Sequence, residues 1–298
     1  MQPRKILLDT DIGDDIDDAF ALALCARMQS LELVGVTTVF RNTADRAQLV
    51  ARLTEDCGKT VPIVAGERLP IKEPIHVFNK DDATAPELQH VCQWSDAYAD
   101  YPVNEGAVDY IIDMVKQYGS ELTIVPIGPM TNIARAIQKA PEVMRTVGSI
   151  VEMGGWFTNY VPEWNILCDP EAADIVWSSG IPVYAVGLDV TLQCTLDESL
   201  LGDFRSSDLA HNKRIVEWLD KWFAFFNFDK SVMHDPLAVV SVTKPVCSFE
   251  KRYVKVDLTD KRGAAQVSNE PMEGYSPIFV ATAVDKQLFY ETVRSELL

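Results

Sequence analysis

The chain has 298 residues, of which 47% are hydrophobic and 24% are charged, so it can bury a large core as one α/β domain or two smaller ones. Its formal net charge of −17 argues against nucleic-acid polymers and anionic membranes as partners, because no excess of basic residues is available to displace counterions. A small-molecule ligand is compatible with this charge.

The N-terminal sequence indicates the compartment. Only three apolar residues, at positions 6–8, precede Asp9, and no apolar run in the chain approaches the length that spans a membrane. We therefore expect a cytoplasmic protein. The six cysteines are widely spaced and lack the CxxC spacing of a zinc site, which favours buried free thiols.

Short apolar runs alternate with helical patterns through most of the chain. The predicted strands are residues 5–9, 33–39, 61–65, 122–127, 149–153 and 183–190. The predicted helices are residues 17–28, 43–57, 104–118, 131–139 and 170–179. Such alternation is typical of an α/β fold with a parallel sheet and right-handed crossovers.

The pattern changes toward the C-terminus. Residues 215–229 and 234–242 are predicted helices, and residues 253–259 and 278–284 are predicted strands before a closing helix. No linker or repeat interrupts the sequence, so we expect a single domain over residues 1–298. The long loop 67–102 is a candidate lid over a ligand site.

Six aspartates occur within ten positions after the first predicted strand: Asp9, Asp11, Asp14, Asp15, Asp17 and Asp18. Because no Lys or Arg lies between them, their repulsion is relieved by raised pKa values or by a bound cation. Carboxylate oxygens are ligands that Ca²⁺ and Mg²⁺ prefer. The alternative is an acidic loop that caps the next helix, but a cap needs only one or two aspartates. The cluster therefore predicts a metal site.

Polar residues also follow other predicted strands. In an open α/β sheet, ligands bind beyond the carboxyl ends of the strands. Those positions hold Asn42, the segment 128–132 and the segment Glu163-Trp164-Asn165. Each has another explanation, since an Asn can cap a helix and Glu163 can be a surface charge. Their shared position predicts a metal or polyol site at this edge.

Four motifs resemble those of the inosine-uridine type nucleoside hydrolases, which cleave the N-glycosidic bond of ribonucleosides. They are the aspartate motif, residues 128–134 (GPMTNIA), residues 163–165 followed by 169–173 (EWN and DPEAA), and residues 234–238 (HDPLA). They occur in the expected order over nearly the whole length. The resemblance implies a mostly parallel, mixed central sheet with helices on both faces, a Ca²⁺ at the strand ends, a ribonucleoside substrate, and a homodimer or homotetramer.

The resemblance also implies roles for single residues. Asp11 is similar to the base that ligates Ca²⁺ and takes a proton from water, and His234 to the acid that faces the leaving base. Asp235 and the backbone carbonyl of Ile127 would complete the metal shell. The implied or candidate substrate-binding residues are Asn42, Asn159, Glu163 and Asn165.

The aspartate motif departs from the family pattern, Asp-x-Asp-x-Gly-x-Asp-Asp, by two extra residues and a second acidic pair. Because an apolar run follows Asp18 directly, we align Asp17 and Asp18 with the usual pair, which assigns Asp18 to the metal and Asp17 to the ribose. Asp15 lies one helical turn from Asp18 and is a further candidate metal ligand. The alternative, in which Asp14 and Asp15 are the functional pair, stays open.

The residues that would hold the base are less well defined. Loop 67–102 lacks the glycine-rich, histidine-bearing pattern of the family's substrate loop, so the base preference is open. Trp218 and Trp222 have the i,i+4 spacing of one helix face and are candidates for stacking on the base. An aromatic stripe of this kind also suits a protein core.

Three other functions fit parts of the sequence. A haloacid-dehalogenase-type phosphatase also begins with Asp-x-Asp, but Gly13 stands where that family has Thr or Val. An EF-hand would need Gly in place of Asp14 and Glu in place of Phe20. A non-catalytic, metal-dependent nucleoside or ribose binding protein would use the same ligands. The presence of both Asp11 and His234 favours the enzyme.

Overall fold

The computed structural model describes residues 2–13, 15–72, 98–99 and 101–298. Its strands are β1 (Arg4–Thr10), β2 (Leu31–Thr38), β3 (Ile63–Ala65), β4 (Asn104–Glu105), β5 (Leu122–Pro126), β6 (Ser149–Met153), β7 (Val183–Val186), β8 (Cys247–Val256), β9 (Ala265–Ser268) and β10 (Ser276–Val284). Its helices are α1 (Asp17–Arg27), α2 (Thr43–Asp56), α3 (Ala107–Tyr118), α4 (Thr131–Lys139), α5 (Pro141–Met144), α6 (Trp164–Cys168), α7 (Pro170–Ser178), α8 (Leu188–Thr191), α9 (Glu198–Ser206), α10 (Ala210–Phe226), α11 (His234–Ser241) and α12 (Lys286–Leu297). Asp14 and most of the candidate lid (residues 73–97 and 100) lie outside the described residues.

The strands form one sheet in the order β4-β3-β2-β1-β5-β6-β7-β10-β8-β9. The pairs from β4 to β7, and the pair of β7 with β10, are parallel. The pairs of β10 with β8 and of β8 with β9 are antiparallel. This arrangement confirms the predicted α/β class with a mostly parallel, mixed sheet.

Helices cover both faces of the sheet. Side chains of successive strand residues point to opposite faces, and accordingly Ile6 and Leu8 of β1 belong to one buried cluster whereas Leu7 belongs to the other. The first cluster includes α1, α10, α11 and α12, and the second includes α3, α4 and α7. Burying one such aliphatic side chain stabilises the fold by about 1.5–3 kcal/mol, so the two layers fix β1 and β5 firmly. In the described residues, no helix has the length and apolar character needed to cross a membrane.

The ends of β1 and β5 bring the aspartate motif to the middle of one sheet edge. Just beyond β5, the backbone N–H of Ile127 donates to the carbonyl of Asp9 at 2.8 Å. The chain then turns at Gly13, whose φ of 113° lies in a region that residues with side chains rarely adopt. Helix α1 begins shortly afterwards at Asp17. The motif therefore wraps around the carboxyl end of β1.

Several predicted boundaries differ from the structure. The strand predicted over residues 183–190 ends at Val186, because the extended Gly187 starts the short helix α8 within the same apolar run. The helix predicted from residue 104 begins at Ala107, after strand β4. Strands β4 and β9 and the helices α5, α6, α8 and α9 were not predicted. Strand β8 begins six residues before its predicted start, since its first half carries exposed charged residues.

Candidate active site

A cavity of about 470 Å³ lies at the carboxyl ends of β1, β5 and β6. Its oxygen-bearing lining residues are Asp11, Asp15, Asp17, Asp18, Ile127, Glu163, Asn165 and Asp235. Its remaining lining residues are Met153, Trp164, Leu188, Trp222, Phe226, Phe228 and His234. The cavity thus combines a strongly acidic part with an aromatic part.

Three carboxylates form the centre of the acidic part. Asp17, Asp18 and Asp235, called here the carboxylate trio, each offer an oxygen, and these oxygens lie within 4.8 Å of one another. All three residues are buried. Burial, followed by repulsion from neighbouring carboxylates, raises the pKa of each well above its usual value. Ionisation of all three carboxyl groups is therefore unfavourable unless a positive charge lies beside them.

Hydrogen bonds hold the trio in place from two directions. Thr10 Oγ1, at the end of β1, donates to Asp18 Oδ1 at 2.5 Å. The backbone N–H of Asp235, in the first turn of α11, donates to Asp17 Oδ2 at 3.0 Å. The trio therefore connects β1, α1 and α11, which are far apart in the sequence.

The turn that carries Asp11 is held by the fully buried Arg46 of α2. Its Nη1 donates to the carbonyl of Ile12 at 2.9 Å and also to the carbonyl of Asp11. Its Nε donates to the carbonyl of Phe40 at 2.8 Å. Its charge opposes the rise that burial causes in the pKa of Asp18. Sequence reasoning did not identify this residue.

Asp9 does not line the cavity but holds neighbouring elements of the site together through hydrogen bonds. It is fully buried, and its Oδ1 accepts hydrogen bonds from Thr37 Oγ1 at 2.5 Å and Asn132 Nδ2 at 2.7 Å. Burial raises the pKa of Asp9 to about 7. Asn132 Oδ1 in turn accepts from the backbone N–H of Glu67 at 2.8 Å. Asp9 therefore ties β1 to β2 and to α4.

Glu163 and Asn165 occupy the start of α6 beside the cavity. Glu163 caps this helix, and its carboxylate accepts backbone hydrogen bonds from Asn165, Ile166 and Gly155 at 3.0–3.2 Å. Asn165 Nδ2 donates to the carbonyl of Ile127 at 2.9 Å. Burial raises the pKa of Glu163. Both residues are thus rigidly placed, with further acceptor sites left on their oxygens.

His234 is the first residue of α11 and lies next to Asp235 of the trio. Its Nδ1 lies 2.7 Å from Thr191 Oγ1 of α8. Burial lowers the pKa of His234 to about 4, so the imidazole is neutral at pH 7.

Aromatic residues at the C-terminal end of α10 line the cavity beside His234. Trp222, Phe226 and Phe228 pack on one another with ring centroids 5.2–5.7 Å apart. Phe228 is 53% exposed, so part of this aromatic surface is open to a ligand. Of the two predicted tryptophans, Trp222 lines the cavity and Trp218 does not. Trp218 is fully buried because its turn of the helix faces the core. Its Nε1 donates to Tyr98 Oη at 3.4 Å.

Two other predicted substrate-binding residues do not line the cavity. Asn42 precedes α2, and its Nδ2 donates to the side chain of Asp45, at Oδ2, over 2.7 Å. Asn159 is exposed in the turn after β6.

Asp15, a further predicted metal ligand, does line the cavity, and its Oδ1 accepts from the backbone N–H of Ile16 at 2.6 Å.

The donor set suits a hard cation. The trio supplies three carboxylates, and Asp11 and the carbonyl of Ile127 add oxygen atoms to the same cavity. Hard divalent cations take oxygen ligands, whereas zinc prefers nitrogen and sulfur. Gly128 leaves room for this arrangement, since a Cβ there would lie 2.5 Å from Asp11 Oδ1. The residues present therefore fit a bound divalent cation.

Comparison with known proteins agrees with this chemistry. Residues 6–291 match the family model described as inosine-uridine preferring nucleoside hydrolase. A probable uridine nucleosidase 1 from Oryza sativa subsp. japonica is 32% identical over 312 residues, which cover 94% of this chain and 92% of the relative.

Solved structures give the same result. A plant nucleoside hydrolase superposes with a TM-score of 0.80 at 26% identity, covering 99% of both chains. A purine-preferring ribonucleoside hydrolase from Gardnerella vaginalis superposes with a TM-score of 0.79 at 30% identity, covering 98% of this chain and 97% of the other. The family predicted from the four motifs is confirmed. The chain belongs to the inosine-uridine preferring nucleoside hydrolase family and is a hydrolase of N-glycosyl compounds.

Proposed function

We propose that this protein uses Ca²⁺ to hydrolyse the N-glycosidic bond of ribonucleosides, releasing ribose and the free base. The observation that carries the proposal is the composition of one cavity, which joins buried carboxylates to an aromatic surface. A ribonucleoside has the same two parts, a polyhydroxylated sugar and a flat aromatic base. The ribose would lie against the carboxylates and the base against the aromatic residues.

We infer that Ca²⁺ would be held by Asp11, Asp18, Asp235 and the carbonyl of Ile127, with Asp15 as a further candidate. The donors are all oxygens, and burial of mutually repelling carboxylates favours a divalent cation. When bound, Ca²⁺ would orient the attacking water and lower its pKa. Asp14 lies outside the described residues, so the choice of Asp17 and Asp18 over Asp14 and Asp15 stays a prediction.

The ribose would be bound by Asp17, Glu163 and Asn165. Cleavage passes through a state in which the sugar ring gains positive charge, and nearby carboxylates stabilise that charge. In a cavity that excludes water, one such interaction can lower the barrier by on the order of 3 kcal/mol. Because these side chains are buried and held by backbone hydrogen bonds, they would not need to rearrange during the reaction.

Asp11 and His234 would handle the protons. Asp11 would accept a proton from the attacking water, since its carboxylate lies at the acidic part of the cavity. His234 would face the leaving base from the aromatic part. With its pKa lowered to about 4, it would act at neutral pH as a neutral N–H donor to the negative charge forming on the base.

The base preference is left open by the related proteins, because their names include a uridine nucleosidase and a purine-preferring hydrolase. The deciding experiment incubates calcium-loaded protein with uridine, cytidine, inosine and adenosine, and measures free base by chromatography. The matching 2′-deoxyribonucleosides should be cleaved more slowly by on the order of 10⁴-fold. They lack the 2′-hydroxyl, so the buried polar groups that would bind it are left without a partner. Asp11→Asn serves as the inactive control.

Other outcomes would point to other functions. Nucleoside binding without base release would indicate a binding protein, and release of phosphate from phosphate esters would indicate a phosphatase. Equal cleavage of ribo- and deoxyribonucleosides would contradict the proposed ribose contacts. From the family resemblance we also expect a homodimer or homotetramer, which light scattering would test.

A further inference from the structure

Thr191 contacts the imidazole ring of His234. Thr191 ends the short helix α8 and is fully buried. Its Oγ1 lies 2.7 Å from Nδ1 of His234, whose side chain also lines the cavity. One ring nitrogen is therefore occupied by Thr191, and Nε2 is the nitrogen left for a ligand.

The direction of this hydrogen bond follows from the hydroxyl group. A threonine hydroxyl has one hydrogen to donate. Among the residues that the structure describes, His234 Nδ1 is the one hydrogen-bonding partner of Thr191 Oγ1. If Nδ1 carried a proton, the buried hydroxyl hydrogen would have no acceptor, which is unfavourable. The hydroxyl therefore donates, and Nδ1 accepts.

An accepting Nδ1 determines the tautomer of the ring, because the single ring hydrogen must then be on Nε2. We propose that Thr191 is a positioning residue that holds His234 with its Nε2–H group directed to the leaving base. The consequence for catalysis rests on the proposed function, whereas the hydrogen bond does not. The Nε2–H group would stabilise the negative charge that forms on the base nitrogen as its bond to C1′ breaks.

The kinetic test compares two leaving groups. Thr191→Val has nearly the shape of threonine but no hydroxyl. It should lower kcat about tenfold for whichever ribonucleoside the wild type cleaves best, with KM little changed, which is the effect of one neutral hydrogen bond. Cleavage of p-nitrophenyl riboside should stay within about twofold, because nitrophenolate leaves without a donor. Thr191→Ser retains the hydroxyl and should restore most of the activity on that ribonucleoside.

A spectroscopic test needs no substrate. Nitrogen-15 NMR of the imidazole rings distinguishes the two tautomers, and the His234 signals can be assigned by their loss in His234→Gln. We expect hydrogen on Nε2 and a hydrogen-bonded Nδ1 in the wild-type protein. In Thr191→Val, the Nδ1 resonance should move to the position of a nitrogen without a hydrogen bond.

Thr54→Val is the matched control. Thr54 is equally buried in a helix, and its hydroxyl donates to the backbone carbonyls of Val50 and Ala51. This variant should leave the His234 spectrum and both activities unchanged.

Two results would overturn the proposal. One is a wild-type spectrum with hydrogen on Nδ1, whatever the kinetics. The other is an equal loss on both substrates in Thr191→Val with an unchanged Nδ1 resonance. If the wild-type protein cleaves no ribonucleoside, the proposed function fails instead, and the spectrum still decides the position of the ring hydrogen.

Discussion

Replacing Asp18 by Asn should stabilise the protein in chelator and remove its response to calcium. The substitution deletes one charge of the carboxylate trio but keeps an oxygen that can accept the hydrogen bond from Thr10. Two unit charges at the 4.8 Å limit found for the trio repel by about 3 kcal/mol at an effective dielectric constant of about 20. Asp18 has two such neighbours, Asp17 and Asp235.

The variant should gain less stability than the sum of these two repulsions, because the wild-type trio already avoids part of the repulsion by retaining protons. We therefore expect the free energy of unfolding of Asp18→Asn in chelator at pH 8 to exceed that of the wild type by on the order of 3 kcal/mol. Calcium at about 100 times its dissociation constant should stabilise the wild type by about 2.7 kcal/mol, through mass action alone. It should leave Asp18→Asn unchanged.

Urea unfolding followed by tryptophan fluorescence measures both effects, since the chain has six tryptophans. Asp285→Asn is the matched control, because Asp285 is an exposed carboxylate that caps α12, and Asn caps helices equally well. The control should respond to calcium as the wild type does. The reasoning is refuted if Asp18→Asn is less stable than the wild type in chelator, or gains as much from calcium.

Three further predictions concern single residues. Glu152 is buried, its Oε1 accepts from Trp177 Nε1 at 2.7 Å, and burial raises its pKa from 4.5 to about 8. The folded protein thus keeps a proton that the unfolded chain releases, so wild-type stability should fall as pH rises from about 4.5 to about 8. The advantage of Glu152→Gln in urea unfolding should grow by about 1.4 kcal/mol per pH unit over that range, and a constant difference would contradict this. His234→Ala should lower turnover of uridine by roughly 10²-fold or more but leave p-nitrophenyl riboside almost unaffected, and equal losses would remove the donor role. Asp11→Asn should lower turnover of both substrates by on the order of 10³-fold, as measured by release of base or nitrophenol, and retained activity would exclude it as the base.

Sequence spacing was sufficient where the function depends on residues that are close in the chain or at strand ends. The aspartate motif follows β1 directly, and all parallel strands place their carboxyl ends at one edge. Asp11, Ile127 and Asn165 could therefore be predicted to approach one another. The structure brings them to one cavity, together with Asp235 from α11.

Sequence spacing was insufficient where the role of a residue depends on its exact position along a helix or on a contact with a residue far away in the chain. Trp218 and Trp222 share a helix face, but one turn separates the buried core from the cavity. Thr191 and Arg46 bond to residues 43 and 34 positions away, which no local pattern shows. A weak signal for Arg46 did exist, since positions 43, 46, 50 and 53 are spaced as the buried face of a helix.

The most direct test of the proposed function follows one sample of chelated protein with uridine and inosine through the addition of Ca²⁺. Free base and reducing sugar are recorded together, and Asp18→Asn is run in parallel. We predict neither product before calcium, equal amounts of base and ribose afterwards, and no product at any stage with the variant. Equal turnover before and after calcium, or calcium-loaded protein that binds both nucleosides without releasing base, would contradict the proposed calcium-dependent hydrolysis.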